Sequence, residues 1–348
     1  MLEILLGLVV IYAVIITAMF LREHVNAQSE KLIQEKVMEK RQAMMDATIE
    51  AKADEAMRLH QTFQKFVPRQ FVDHFAKNGE KSLELGRADE DRVAVLFCDI
   101  RGFTALSEKL SPQDLMYFLN SYFLRMNAPI HQNKGFIDKF IGDAIMALFD
   151  SPDGGDADKA SDAVRAALEI QVALKLYNSH RANSKYAPVK NGIGLHFGPV
   201  VLGTVGSDDR MDTTVLGDTV NVAQRIEGLC RYFNTDIMAS ASTISLANEI
   251  YPVEYRLVDN ILFKGKSISI PVVEVLSHMD DEKISRKKLI GEHIMEGIRL
   301  REDGYLKTAH AHFINLRESF PEDEVLRHHV LTCEKALEKK NWDGLVRL

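Results

Sequence analysis

Two short apolar runs, Phe136 to Phe140 and Ala144 to Phe149, meet across Ile141-Gly142-Asp143, and this arrangement constrains the chain more than any other. Runs of this length either side of a glycine turn read as a β-hairpin, which puts Asp143 at its tip. A third apolar run, Val93 to Ile100, carries Asp99 at its end. A carboxylate in so apolar a setting is costly unless a positive group compensates it, and two brought together raise one pKa unless a cation sits between them. If the Val93 strand lies beside the hairpin, both carboxylates face one point at the sheet edge. Mg²⁺ prefers one or two carboxylates plus phosphate oxygens, and a pair of such ions serves in-line displacement at phosphorus. Taken singly, Asp99 reads equally as a strand-end cap and Asp143 as a turn residue. After Asp99, Gly102 permits a tight turn before a helix whose exposed N–H groups can meet phosphate. The pattern points to phosphoryl or nucleotidyl chemistry.

Five segments, in order, carry a resemblance: Phe97-Cys-Asp-Ile-Arg-Gly-Phe-Thr104, Lys139-Phe-Ile-Gly-Asp143, Gly192-Ile-Gly-Leu-His-Phe-Gly198, Thr214-Val-Leu-Gly-Asp-Thr-Val-Asn-Val-Ala-Gln-Arg225 and Phe263-Lys-Gly-Lys266. Over roughly residues 90 to 276 the chain resembles the class III nucleotidyl cyclases. That resemblance implies attack of a nucleoside triphosphate's own 3′-oxygen on its α-phosphorus, with release of pyrophosphate. It implies two metal ions per site, Mg²⁺ or Mn²⁺, held by Asp99 and Asp143 with help from the Ile100 carbonyl. Arg225 would meet the charge on the α-phosphoryl group and Asn221 would orient the ribose; their spacing puts both on one helix face. Lys264 matches the lysine that grips the triphosphate. Arg210 lies in the segment that reaches the terminal phosphate, although Asp209 stands where a second basic residue is expected. Lys139 and Thr214 match the base-reading positions. A lysine can donate to an adenine ring nitrogen and a threonine oxygen can accept from its exocyclic amine, so the substrate implied is ATP and the product 3′,5′-cyclic AMP. The threonine pattern belongs to a subgroup often stimulated by bicarbonate. In this family the metal aspartates of one chain face the Lys-Thr-Asn-Arg set of another, so the active form implied is a homodimer with two sites.

A guanylate cyclase is disfavoured by Lys139, and a diguanylate cyclase by the absence of its signature at Ile141-Gly-Asp-Ala-Ile145. A non-catalytic nucleotide-binding scaffold would be favoured by lost metal or transition-state residues, and Asp99, Asp143, Asn221 and Arg225 are all present. The net charge of −7 and the lack of a basic, aromatic-interleaved patch argue against nucleic acid.

Leu2 to Leu21 is almost uniformly apolar and about the length of a membrane span. Arg22, Lys31, Lys36, Lys40 and Arg41 follow it and no lysine or arginine precedes it, so a single-pass anchor over 1–22 in the inner or plasma membrane is expected, with the rest in the cytoplasm. The scattered cysteines Cys98, Cys230 and Cys333 suit a reducing compartment, and Cys98 is expected in the core. Residues 23–67 lack proline and glycine and read as a signalling helix, whose Met45, Ile49, Lys52, Ala56, Leu59, Phe63 and Phe66 have a coiled-coil spacing. A junction at 68–89 leads to the catalytic domain at 90–278. There the expected order is a strand at 92–99, helix 112–126, hairpin 135–149, helix 157–180, a strand pair at 190–205, helix 218–231, strand 235–239 and a last strand pair at 254–275. This is an α+β fold, and the resemblance makes it a ferredoxin-like palm. Residues 281–348 read as helical, with Gly297, Gly304, Ala309, Phe313 and Pro321 at the offsets of a tetratricopeptide (TPR-like) repeat. One such repeat is expected to pack on the cyclase or its twin, with a protein partner as the alternative use. His310 with His312, and His328 with His329, are expected at its surface.

Overall fold

A computed structural model describes residues 2–63, 88–151, 153–207, 209–338, 342, 346 and 347, without the side chains of 2–6, 8–10, 63, 210 and 211. It divides into two compact units, 1–67 and 68–348.

In the first unit, α1 (Leu2–Phe63) is one uninterrupted helix of 62 residues, as a proline-free stretch rich in Ala, Glu, Lys and Met favours. Among the described residues no helix is long and apolar enough to cross a membrane. This overturns the expected anchor over 1–22 and with it the single-pass membrane location. Most of the 62-residue helix is polar: from Arg22 onward it carries charged or polar side chains at nearly every turn, including Glu23, Glu30, Lys31, Glu35 and Lys36. The seam positions Met45, Ile49, Ala56 and Leu59 are exposed in the single chain. Phe66 and the junction up to residue 87 lie outside the described residues.

The second unit is built on a mixed sheet. Its strands are β1 (Ala88–Ile100), β2 (Phe136–Ile141), β3 (Ala144–Phe149), β4 (Asn191–Ser207), β5 (Arg210–Leu216), β6 (Ile237–Ser240), β7 (Tyr255–Leu262), β8 (Ile270–Val275) and β9 (Val346–Arg347), in the order β2-β3-β1-β4-β6-β8-β7-β9 with β5 paired to β4. The β4/β6 and β7/β9 pairs are parallel and the remainder antiparallel. Both faces are covered, which explains why Val93 to Cys98 is continuously apolar rather than alternating. On one face Ala94, Leu96 and Cys98 pack against α3 (Pro112–Gln132) and α4 (Asp156–Asn183). A short helix α2 (Phe103–Ser107) precedes them. Ser111 caps α3 by accepting from the Asp114 N–H at 3.2 Å, ahead of Pro112 at the first turn. A short α6 (Ala241–Ala247) joins this layer.

The other face packs on α5 (Asp218–Phe233) and on α7 (Asp281–Glu302), α8 (Leu306–Ser319) and α9 (Glu324–Glu338). Val222, Ile226 and Leu229 of α5 share one core with Ile294, Phe313 and Leu326 of the C-terminal helices. Buried ion pairs fix them to the sheet. Arg256 on β7 bonds to Glu274 at 2.6 Å and Asp323 at 2.5 Å, and Arg301 on α7 bonds to Asp259. His329 is buried rather than at the surface: its ring stacks on Phe313 at 4.3 Å and donates to the Val258 carbonyl, and burial pushes its pKa down to about 4. His328 is half-buried, with its ring 3.8 Å from that of Tyr232.

The expected strand pair at 190–205 is instead one strand of 17 residues, β4, whose partner on that side is β5. Gly192, Gly194 and Gly198 are not turns but clearance for α5. A Cβ on Gly194 would lie 2.2 Å from the Glu227 nitrogen and 2.6 Å from the Ala223 carbonyl oxygen, both backbone atoms that cannot step aside. Gly194→Ala is therefore expected to destabilise the fold by about 3 kcal/mol, read as a lower thermal midpoint. Gly228→Ala, whose Cβ meets nothing within 4 Å, should not lower it.

Candidate active site

Register brings the two aspartates together. Cys98 on β1 pairs with Ile145 on β3, so the end of β1 meets the tip of the β2–β3 hairpin, where Gly142 takes a left-handed conformation (φ 63°). The Ile100 N–H donates to Asp143 Oδ2 at 3.3 Å. Burial, reinforced by Asp99, pushes the Asp143 carboxyl up to about 7. A carboxylate pair in this condition is a set of hard oxygen donors suited to a divalent cation such as Mg²⁺. Asp99, Ile100, Asp143 and Arg231 line a cavity of about 470 Å³, closed on one side by the turn at Gly102 (φ 70°) and the start of α2.

The second group of residues forms elsewhere on the chain. Lys139 Nζ on β2 donates to Thr214 Oγ1 on β5 at 3.0 Å, joining residues 75 apart in sequence. Asn221 and Arg225 lie on the exposed face of α5, while Val222 and Ile226 face the core. Arg225 Nη1 donates to the Lys264 carbonyl at 2.6 Å. Arg210 opens β5 and its side chain lies outside the described residues. None of Lys139, Thr214, Asn221 and Arg225 lines the aspartate cavity, and among the described residues no hydrogen bond or ion pair joins the two groups.

Two residues at the aspartates, Glu227 and Arg231, are not marked by sequence pattern, and Arg101, inside the Phe97–Thr104 segment, takes no role from the resemblance. Arg231 lies 3.9 Å from Asp99 Oδ2. Glu227, one turn earlier on α5, is pushed up to about 7 by burial and by Asp99. Arg101 donates to the Thr235 carbonyl and, at 3.2 Å, to Asn234, which anchors the wall of the cavity. The only sequence signal for Glu227 and Arg231 is their spacing of four on α5, shared by countless helical surface pairs. Cys98 sits in the core as expected, its thiol pushed up to about 12 by burial.

Residues 86–278 match the adenylate and guanylate cyclase catalytic domain family. The adenylate cyclase of Anabaena cylindrica is 39% identical over 236 residues, covering 66% of this chain and 46% of that protein. The matched stretch is less than half the length of that relative and a smaller share of other adenylate cyclases that resemble it. Among solved structures, the adenylyl cyclase CyaB from P. aeruginosa aligns at 31% identity with a TM-score of 0.50, covering 56% of this chain and 98% of that one. A bacterial light-regulated adenylyl cyclase aligns at 27% identity with a TM-score of 0.57, covering 71% and 70%.

Proposed function

We propose, from the premise that this chain belongs to the adenylate and guanylate cyclase catalytic domain family, that it converts ATP to 3′,5′-cyclic AMP and pyrophosphate at the interface of a homodimer. The ATP 3′-oxygen attacks the α-phosphorus and the bond from that phosphorus to the β-phosphate oxygen breaks. Its electron pair leaves with pyrophosphate, which in the net balance also carries the hydroxyl proton. Asp99 and Asp143, with the Ile100 carbonyl, would hold Mg²⁺ or Mn²⁺, two per site, which would supply charge neutralisation at the phosphates and a more acidic 3′-hydroxyl. Arg225 offers a fixed guanidinium to the α-phosphoryl oxygens as their charge grows. Asn221, one helical turn before it, positions the ribose, and Lys264 and Arg210 bind the triphosphate. The exposed seam of α1 pairs the two chains as a coiled coil and sets their spacing.

The observation that carries the choice of adenine is the 3.0 Å hydrogen bond from Lys139 to Thr214. It places a donor and an acceptor side by side, the pair an adenine edge requires, whereas a guanine edge presents the opposite pattern. None of Lys139, Thr214, Asn221 and Arg225 lines the aspartate cavity, which favours the dimer, in which a second chain supplies them. The test is product analysis after incubating the purified protein with ATP or GTP and Mg²⁺ or Mn²⁺: cyclic AMP from ATP is expected, and cyclic GMP as the main product contradicts the assignment. Lys139→Glu with Thr214→Cys should cut the ATP-over-GTP preference at least tenfold, about 1.4 kcal/mol. An unchanged ratio of kcat/KM values would show that other residues read the base.

A further inference from the structure

The histidine face of the C-terminal helices takes no part in the chemistry above. His293 and Glu296 lie three residues apart on α7, hence on one face. The chain reverses at Gly304 (φ 86°), and α8 brings His312 beside them. One donor atom from each of the three lies within 4.8 Å of the other two. Packing holds the helices at this approach. A Cβ on Gly297, next to Glu296, would lie 2.4 Å from Phe313 Cζ, so the close crossing of α7 and α8 falls beside the three side chains.

One nitrogen of the His312 ring meets a backbone carbonyl, which leaves the other with a lone pair. The ring Nε2 lies 2.8 Å from the His293 carbonyl oxygen, and a carbonyl only accepts, so Nε2 carries the proton and Nδ1 keeps its lone pair. A carbonyl that holds the far N–H of an imidazole is a common orienting partner of ligating histidines. Two imidazole nitrogens and one carboxylate oxygen suit zinc and its neighbours, whereas Mg²⁺ and Ca²⁺ select oxygen. Bonds of about 2.0–2.1 Å put tetrahedral donors about 3.3 Å apart. None of the three residues is buried, so rotation of the His293 and Glu296 side chains closes the difference and an incoming ion has access.

We propose that His293, Glu296 and His312 bind a zinc-type dication, with water in the fourth position, and that this ion ties α7 to α8. The site lies outside the aspartate cavity and does not depend on the cyclase reaction. To test it, the full chain is stripped with a chelator and titrated with zinc by calorimetry, with millimolar Mg²⁺ present to compete at Asp99 and Asp143. One zinc per chain is expected, with a rise in melting midpoint. His293→Ala keeps the backbone carbonyl that orients His312. It should weaken binding at least about 100-fold, and Glu296→Gln about tenfold or more, against the ~10–100-fold typical of losing an outer-shell partner. Both variants should melt like wild type without zinc and show a smaller zinc-induced rise. No stoichiometric zinc on the wild-type chain, or wild-type affinity and melting rise in both variants, overturns the proposal.

Discussion

Chains carrying Asp99→Asn or Asp143→Asn are expected to form cyclic AMP at least about 10³-fold more slowly than wild type, some 4 kcal/mol of lost transition-state stabilisation. The shape of each side chain is kept. An asparagine at 143 can still accept from the Ile100 N–H, so the hairpin stays against β1. What is lost is the charge that holds the cation. Because each change also removes one member of a close carboxylate pair, the thermal midpoint should not fall. The measurement is kcat at saturating ATP and metal beside a melting curve. Activity near wild type in either variant would contradict the two-metal assignment; loss of activity accompanied by a lower midpoint would place these residues in the structure and not the chemistry.

The sequence made some of this legible and hid the remainder for physical reasons. Asp99 and Asp143 were visible because each stands at a local break in an apolar run, and the glycine turn at 142 announces the hairpin. Lys139 and Thr214 were visible only through family resemblance, since nothing local links residues that touch across 75 positions. The continuity of β4 was hidden because Gly192, Gly194 and Gly198 look like turn signals, whereas they make room for α5. His329 looked like a surface residue beside His328, but α9 turns it inward against Phe313 and the Asp259–Arg301 pair. At the amino terminus, composition suggested a span, and the structure shows no described helix that meets the requirement. For β4 and His329 the misleading signal was local and the deciding contact came from an element distant in sequence.

The central claim is that one chain supplies Asp99 and Asp143 while its partner supplies Lys139, Thr214, Asn221 and Arg225. It is tested most directly by mixing two inactive variants, Asp143→Asn and Arg225→Ala. Arg225 is exposed on α5 and its removal leaves the core untouched, so both chains should fold and pair. In a mixed dimer one site inherits both lesions and the other is intact. Random pairing makes about half of the dimers mixed, each with one working site, so the mixture should recover about a quarter of wild-type activity if the sites act independently. Each variant alone should stay at background. No recovery, with subunit exchange demonstrated by differently labelled chains, would mean that the catalytic set is assembled within one chain and would contradict the proposed shared site.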